Sequence, residues 1–159
     1  MAFRKMRTPT RSIVPLLAAL AFLLAGTAHA TERAALNRLP GPVPAEVLRV
    51  VDGDTIEVRA HIWLGQEVTT LVRLGGIDAP ELKGKCERER AAARRAKARI
   101  EQKLGGRDVV LHDIRFEKYA GRVMSRVETD GGEDLGALLA REGLVRAYKG
   151  NKRAGWCTG

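Results

Sequence analysis

Cysteine is nearly missing from this chain. Cys86 and Cys157 are the only two, too few for a zinc finger, and neither His61 nor His112 stands at zinc-ligand spacing from a cysteine. Serine is scarcer still beyond residue 30, where only Ser125 remains, inside an expected strand, so a serine-based hydrolase has little support. Long apolar runs are lacking too. Ile13 to Gly26 is an uncharged, mostly apolar run of fourteen residues, short of the roughly 20 that a membrane-spanning helix needs. No internal repeat or low-complexity tract follows it.

What is present at the N-terminus has the form of an export leader. Arg4, Lys5, Arg7 and Arg11 precede the apolar run, and Ala28-His29-Ala30 has the small-x-small pattern of a signal-peptidase site. Residues 1–30 are therefore expected to be cleaved, giving a periplasmic or secreted protein without stable membrane association. Taking those four basic residues from the formal charge of +9 leaves +5 on the mature chain. A moderately basic exported protein suggests an anionic partner such as nucleic acid. An oxidising compartment also permits a Cys86 to Cys157 disulfide, tying the chain's end to its middle.

Residues 31–45 hold Pro40, Gly41, Pro42 and Pro44 without sustained periodicity, which predicts a flexible arm, with the folded domain at 46–159. Val47 to Val51 is apolar apart from Arg49, Asp52-Gly53-Asp54 gives a turn, and Thr55 to Ile62 alternates, Ile56, Val58, Ala60 and Ile62 sharing one face. Trp63 to Gln66 forms a hairpin connection, after which Val68, Thr70, Val72 and Leu74 fall on one parity and Arg73 points the other way. From Cys86 to Leu104 the period changes: Ala92, Ala96, Ile100 and Leu104 recur every four residues, and Gly105-Gly106 supplies a stop. Its many basic residues read as a solvated face, since Glu87, Glu89 and Glu101 are interspersed. Asp108–Phe116 and Arg122–Val127 read as strands, and 134–142 as a short helix. The pattern is a β-rich α+β chain, compatible with a five-stranded OB-type barrel carrying two to three helices.

The chemistry concentrates in Val72 to Glu81, where one fixed cation, Arg73, stands close to two carboxylates, Asp78 and Glu81, around a turn pinned by Pro80. Arginine grips phosphate bidentately and aspartate suits a hard divalent ion. Asp54, just before the strand that pairs with the one carrying Arg73, is expected to converge on Asp78. Two carboxylates cannot fill the shell of Ca²⁺ or Mg²⁺, so a backbone carbonyl, waters and a substrate oxygen would complete it. Arg122, after a glycine turn, supplies a second cation against developing phosphate charge. Glu81 is left to orient or deprotonate water.

Val51-Asp52-Gly53-Asp54-Thr55, Arg73 to Glu81, Lys118-Tyr119-Ala120-Gly121-Arg122 and Glu142-Gly143-Leu144 together resemble the ordered motifs of the staphylococcal nuclease family, over about a hundred residues from Glu46 to Tyr148. The resemblance implies an OB-fold and Ca²⁺-dependent, rather than Mg²⁺-dependent, endonucleolytic cleavage of DNA and RNA with little sequence preference, leaving 3′-phosphate ends. It implies Asp54, Asp78 and the Ala79 carbonyl as metal ligands, with Thr55 behind them. It implies Arg73, Glu81 and Arg122 as the catalytic trio, Lys118 and Tyr119 near a substrate phosphate, and Tyr148 lining the nucleotide pocket. The chain departs from the family in a shorter segment after Glu81 and in the inserted Ala120. A monomer is expected. The competing expectation is a non-catalytic OB-type nucleic-acid-binding module, against which the joint presence of Asp54, Arg73, Asp78, Glu81 and Arg122 argues.

Overall fold

The computed structural model describes residues 37–117, 121–150 and 153–157. The expected leader, together with Lys118 and Tyr119, lies outside the described residues. Order begins earlier than the Pro-rich composition suggests. Strand β1 (Arg38–Leu39) pairs with β6 (Asp108–Phe116), and β2 spans Val43–Val50. Val43 and Ala45 are core residues in place of an arm, because β2 is laid between two neighbours, β6 and β3 (Thr55–Trp63).

Five strands close on themselves. β2 pairs with β3, β3 with β4 (Gln66–Leu74), β4 with β7 (Arg122–Thr129), β7 with β6, and β6 back with β2. The β4–β7 junction is parallel and the other four are antiparallel. Closure removes the free sheet edges that would otherwise invite pairing with other chains. Alternation decides what fills the interior: Ile56, Val58, Val72, Leu74, Val109, Leu111 and Val127 are all buried. The expected apolar parity of β3 and β4 runs beyond the barrel, however. Ile62 and Val68 are exposed because the hairpin tip, turned by Leu64 and Gly65, extends past the core.

Helix α1 (Glu87–Leu104) is favoured by five alanines and by Glu87–Arg90 and Lys97–Glu101 pairs one turn apart. It ends where Gly105 turns left-handed and its N–H reaches the Glu101 carbonyl. Ala93, in place of the expected Ala92, joins Ala96, Ile100 and Leu104 on the buried face, the last two inside the barrel core. Truncating Ile100 to alanine would cost about 3 kcal/mol through lost burial and an incompletely collapsed cavity. The small alanines matter for the site: a side chain on Gly53 would meet the Ala96 methyl at 3.0 Å and that of Ala79 at 3.4 Å. Only glycine lets the Asp52–Asp54 turn sit this close to the helix.

A left-handed Gly76 (φ 77°) turns β4 into the two-residue β5 (Ile77–Asp78), which pairs with β8 (Arg146–Ala147). Between them in the chain lies α2 (Leu135–Arg141), N-capped by the Asp134 side chain, which accepts the Ala137 N–H at 2.8 Å. Arg99 grips Glu142 with two hydrogen bonds of 2.8 and 2.7 Å, locking α1 to the end of α2. Thus the Glu142-Gly143-Leu144 motif has a structural task. Ser125 is equally structural, its hydroxyl donating to the His112 carbonyl.

Candidate active site

Register brings Asp54 and Arg73 together. Arg73 lies opposite Thr55 on the paired strand, and the Leu74 N–H donates to the Asp54 carbonyl at 2.8 Å. Alternation turns Arg73 away from the apolar core as expected, yet it is buried rather than solvent-facing. Acidic side chains cover it: Arg73 Nη1 pairs with Asp54 Oδ2, and its Nε lies 4.0 Å from Glu117 Oε1. Glu117 in turn holds Arg122 through both oxygens, Nη2 to Oε1 at 3.1 Å. The result is an alternating relay of Asp54, Arg73, Glu117 and Arg122 that fixes two guanidiniums whose flexible stems would otherwise wander.

Asp54 is tightly furnished. Its N–H donates to Asp52 Oδ1 at 3.0 Å, closing the turn, and its Oδ1 accepts the Thr55 hydroxyl at 2.9 Å. Burial pushes its pKa up to about 6 and the neighbouring Asp52 charge pushes the same way, against the pull of Arg73.

Asp78 and Glu81 face a third cation. Arg153 Nε lies 3.2 Å from Asp78 Oδ1, and Arg153 Nη1 lies 3.4 Å from Glu81 Oε1. Partial burial opposes the charge of Arg153, but Asp78, Glu81 and Asp54 all act on it, and the balance favours protonation. Asp78 and Glu81, three residues apart in the chain, therefore share one guanidinium, with the Asp54 charge acting on it more weakly. Trp156 completes the arrangement, its Nε1–H donating to Asp78 Oδ2 at 3.3 Å. The tail that carries Arg153 and Trp156 is returned to this place by the Cys86–Cys157 disulfide, the bridge expected from the sequence.

The donors suit a hard divalent ion. Asp54 and Asp78 are almost fully buried, and Asp78 Oδ1 accepts no aligned hydrogen bond despite the proximity of Arg153, so it keeps lone pairs for a cation. Ala79 is buried beside them. Among the described residues, the one grouping of three such donor atoms within 4.8 Å is Cys86, Glu89 and Cys157, whose sulfurs are already bonded to each other. Glu81 is not drawn into a three-carboxylate cluster with Asp54 and Asp78; its side chain is 58% exposed. Next to these groups opens a groove of about 520 Å³, with Arg73, Phe116, Glu117, Met124, Tyr148 and Arg153 among its lining residues. Tyr148 is held there by its N–H to the Gly76 carbonyl, 2.8 Å, and by the Arg153 guanidinium 5.6 Å from its ring.

Glu117, Arg153 and Trp156 are the residues that sequence reasoning did not single out. Glu117 stands directly before the Lys118-Tyr119 motif, across a glycine turn from Arg122, which is the spacing of a cross-strand ion pair. Arg153 and Trp156 had a signal as well. If Cys157 is tied to Cys86, only five residues beyond Glu81, the tail must return to the site.

In class, then, this is an OB-fold barrel whose accessible groove is lined by fixed guanidiniums beside two buried carboxylates. The staphylococcal nuclease homologue family matches residues 71–155. A micrococcal nuclease of Shigella flexneri is 33% identical over 109 residues, covering 65% of this chain and 58% of its own length. The chain thus spans somewhat over half of that relative. It belongs to the staphylococcal nuclease family.

Proposed function

We propose that this protein is a divalent-metal-dependent, in particular Ca²⁺-dependent, endonuclease that hydrolyses DNA and RNA with little sequence preference and leaves 3′-phosphate ends. The observation that carries the reading is the relay of Asp54, Arg73, Glu117 and Arg122 beside buried Asp78. A purely structural ion network does not need two guanidiniums preset next to a carboxylate whose oxygen accepts no hydrogen bond.

Asp54, Asp78 and the Ala79 carbonyl would hold the ion, with Thr55 orienting Asp54. When bound, the ion supplies positive charge against the phosphate oxygens. Arg73 and Arg122 grip the phosphodiester and stabilise charge accumulating on its non-bridging oxygens. Glu81, exposed enough to meet solvent, accepts a proton from the attacking water. The phosphorus–O5′ bond breaks, and the departing oxygen takes a proton from solvent. Tyr148 offers a face on which a base can stack without regard to its identity, which fits low sequence preference.

Export is part of the proposal. It is supported by the leader pattern of residues 1–30 and by the disulfide, a bond that an oxidising compartment favours. Among the described residues no helix is long and apolar enough to cross a membrane. Action as a monomer completes the reading.

Plasmid and RNA digestion by the mature protein in Ca²⁺, Mg²⁺ and EDTA tests the activity. Cleavage is expected with Ca²⁺, and the fragments should resist polymerase extension until a phosphatase removes their 3′ phosphates. Binding without cleavage under every divalent ion would instead establish a non-catalytic module.

A further inference from the structure

The basic residues of α1 do not all have the same surroundings. Arg90 and Arg94 pair with Glu87, Lys97 with Glu101, Arg99 with Glu142 and Lys103 with Glu133. These five basic residues share four acidic partners. Arg88 and Arg95 lie seven residues apart, about two helical turns, so they share one face with Ala92 between them. Arg95 makes no ion pair with a carboxylate among the described residues.

That face borders a cavity of about 200 Å³ between α1 and the turn leaving α2, lined by Arg88, Ala92, Arg95, Leu144, Arg146 and Trp156, with Gly143 at its rim and no acidic residue. The small side chain of Ala92 leaves the floor open. Arg146 is fixed rather than mobile: its guanidinium lies 3.8 Å above the Trp156 ring, and Nη1 donates to the Ala154 and Gly155 carbonyls at 3.3 and 3.1 Å. Neutral carbonyls and an aromatic face orient this charge without cancelling it. Trp156 is itself held on both sides, by the adjacent Cys157 bridge and by its hydrogen bond to Asp78. One indole therefore forms a wall of the arginine cavity and touches a carboxylate of the candidate metal site.

We propose that this cavity is a second phosphate-binding subsite, holding a backbone phosphate of the nucleic-acid strand away from the bond being cut. Its chemistry is that of a phosphodiester oxyanion met by up to three guanidiniums, and its shared Trp156 wall sets it beside the candidate active site. The proposal rests on the nuclease reading only for its substrate. Phosphate binding of this kind confers affinity and register without base preference.

The test is an Arg88→Ala/Arg95→Ala double variant of the mature protein. Both side chains are exposed on a helix that alanine favours, and circular dichroism confirms the fold. Binding of a single strand of about twenty nucleotides is followed by fluorescence anisotropy in EDTA across a salt series. Hydrolysis of that strand and of a dinucleotide is followed in Ca²⁺. The slope of log affinity against log salt should fall by about 0.7 for each phosphate that the variant no longer neutralises. KM should rise about tenfold for the long strand, with kcat and the dinucleotide kinetics unchanged. An unchanged salt slope and long-strand KM would overturn the subsite while leaving the nuclease reading intact. A reduced slope in a protein that cleaves nothing would uphold the subsite and remove that reading. Competition by inorganic phosphate at an unaltered strand slope would show a small-anion site, and so also overturn the proposal.

Discussion

Asp54 should make the metal-free protein less stable as pH rises through the weakly acidic range. Its folded pKa is pushed up to about 6 from 3.8 by burial. Below the unfolded value the carboxyl is neutral in both states and nothing is lost. Between the two values the unfolded chain ionises while the folded protein keeps the proton, so stability falls. Above about pH 6 the loss is complete. At 1.36 kcal/mol per unit the rise corresponds to roughly 3 kcal/mol, a large share of the stability of a domain this size. With only 6% of the side chain exposed, solvent screening takes little from that figure. Asparagine at this position mimics the protonated acid in shape and charge. Urea unfolding of wild type and Asp54→Asn in EDTA, read by tryptophan fluorescence, should therefore give equal stabilities near pH 3. By about pH 7.5 the variant should lead by roughly 3 kcal/mol. A difference that stays flat across this range, or favours the wild type at the higher pH, would refute the reasoning.

Glu117→Gln removes the charge between two guanidiniums in a site where the acid is only 8% exposed. Unfolding stability should drop by about 3 kcal/mol, and kcat should fall by at least about tenfold with KM little changed, as measured by urea titration and oligonucleotide turnover. Replacing both Cys86 and Cys157 with serine opens a bridge of sequence separation 71, which chain entropy values at about 4 kcal/mol. The denaturation midpoint should move accordingly, and an unmoved midpoint would show that the tail contributes no stability. Arg153→Ala removes the tethered cation that competes with a divalent ion for Asp78 and Glu81. Titration calorimetry should show Ca²⁺ binding about tenfold more tightly, the expected size of a displaced partly exposed ion pair at about 1.4 kcal/mol.

The legible parts of the fold were those set by short-range periodicity. β3, β4 and α1 follow from alternation or the four-residue stripe, and the Thr55–Arg73 register that joins two motifs follows from the hairpin between them. The body of β2 was legible in the apolar run from Val47, but its start was hidden because Pro40, Pro42 and Pro44 look like a linker, although an exposed proline at a strand's start costs little when its neighbours Val43 and Ala45 face the core. Ile62 and Val68 show the opposite failure, a pattern that persists after the core it serves has ended. In the site, Asp54, Arg73, Asp78 and Arg122 were visible because each sits inside a local motif. The roles of Glu117 and Arg153 were not, since a carboxylate that organises two arginines and a tail that returns across 71 residues are tertiary facts with no periodic signature.

Those two residues also settle the charge of the site. Asp54, Asp78, Glu81 and Glu117 face Arg73, Arg122 and Arg153, so four carboxylates meet three guanidiniums and leave a single negative charge above about pH 6. A phosphodiester alone would double that negative charge, and a divalent ion alone would reverse it to positive. Together they bring the site to neutrality. Each ligand should therefore strengthen the binding of the other, and linkage requires the two factors to be equal. Titrating Ca²⁺ with and without a non-hydrolysable oligonucleotide, then the oligonucleotide with and without Ca²⁺, measures both. A coupling of about tenfold, or 1.4 kcal/mol, is expected in each direction. Independent binding would mean that the guanidiniums and carboxylates of this relay do not act on the same substrate phosphate.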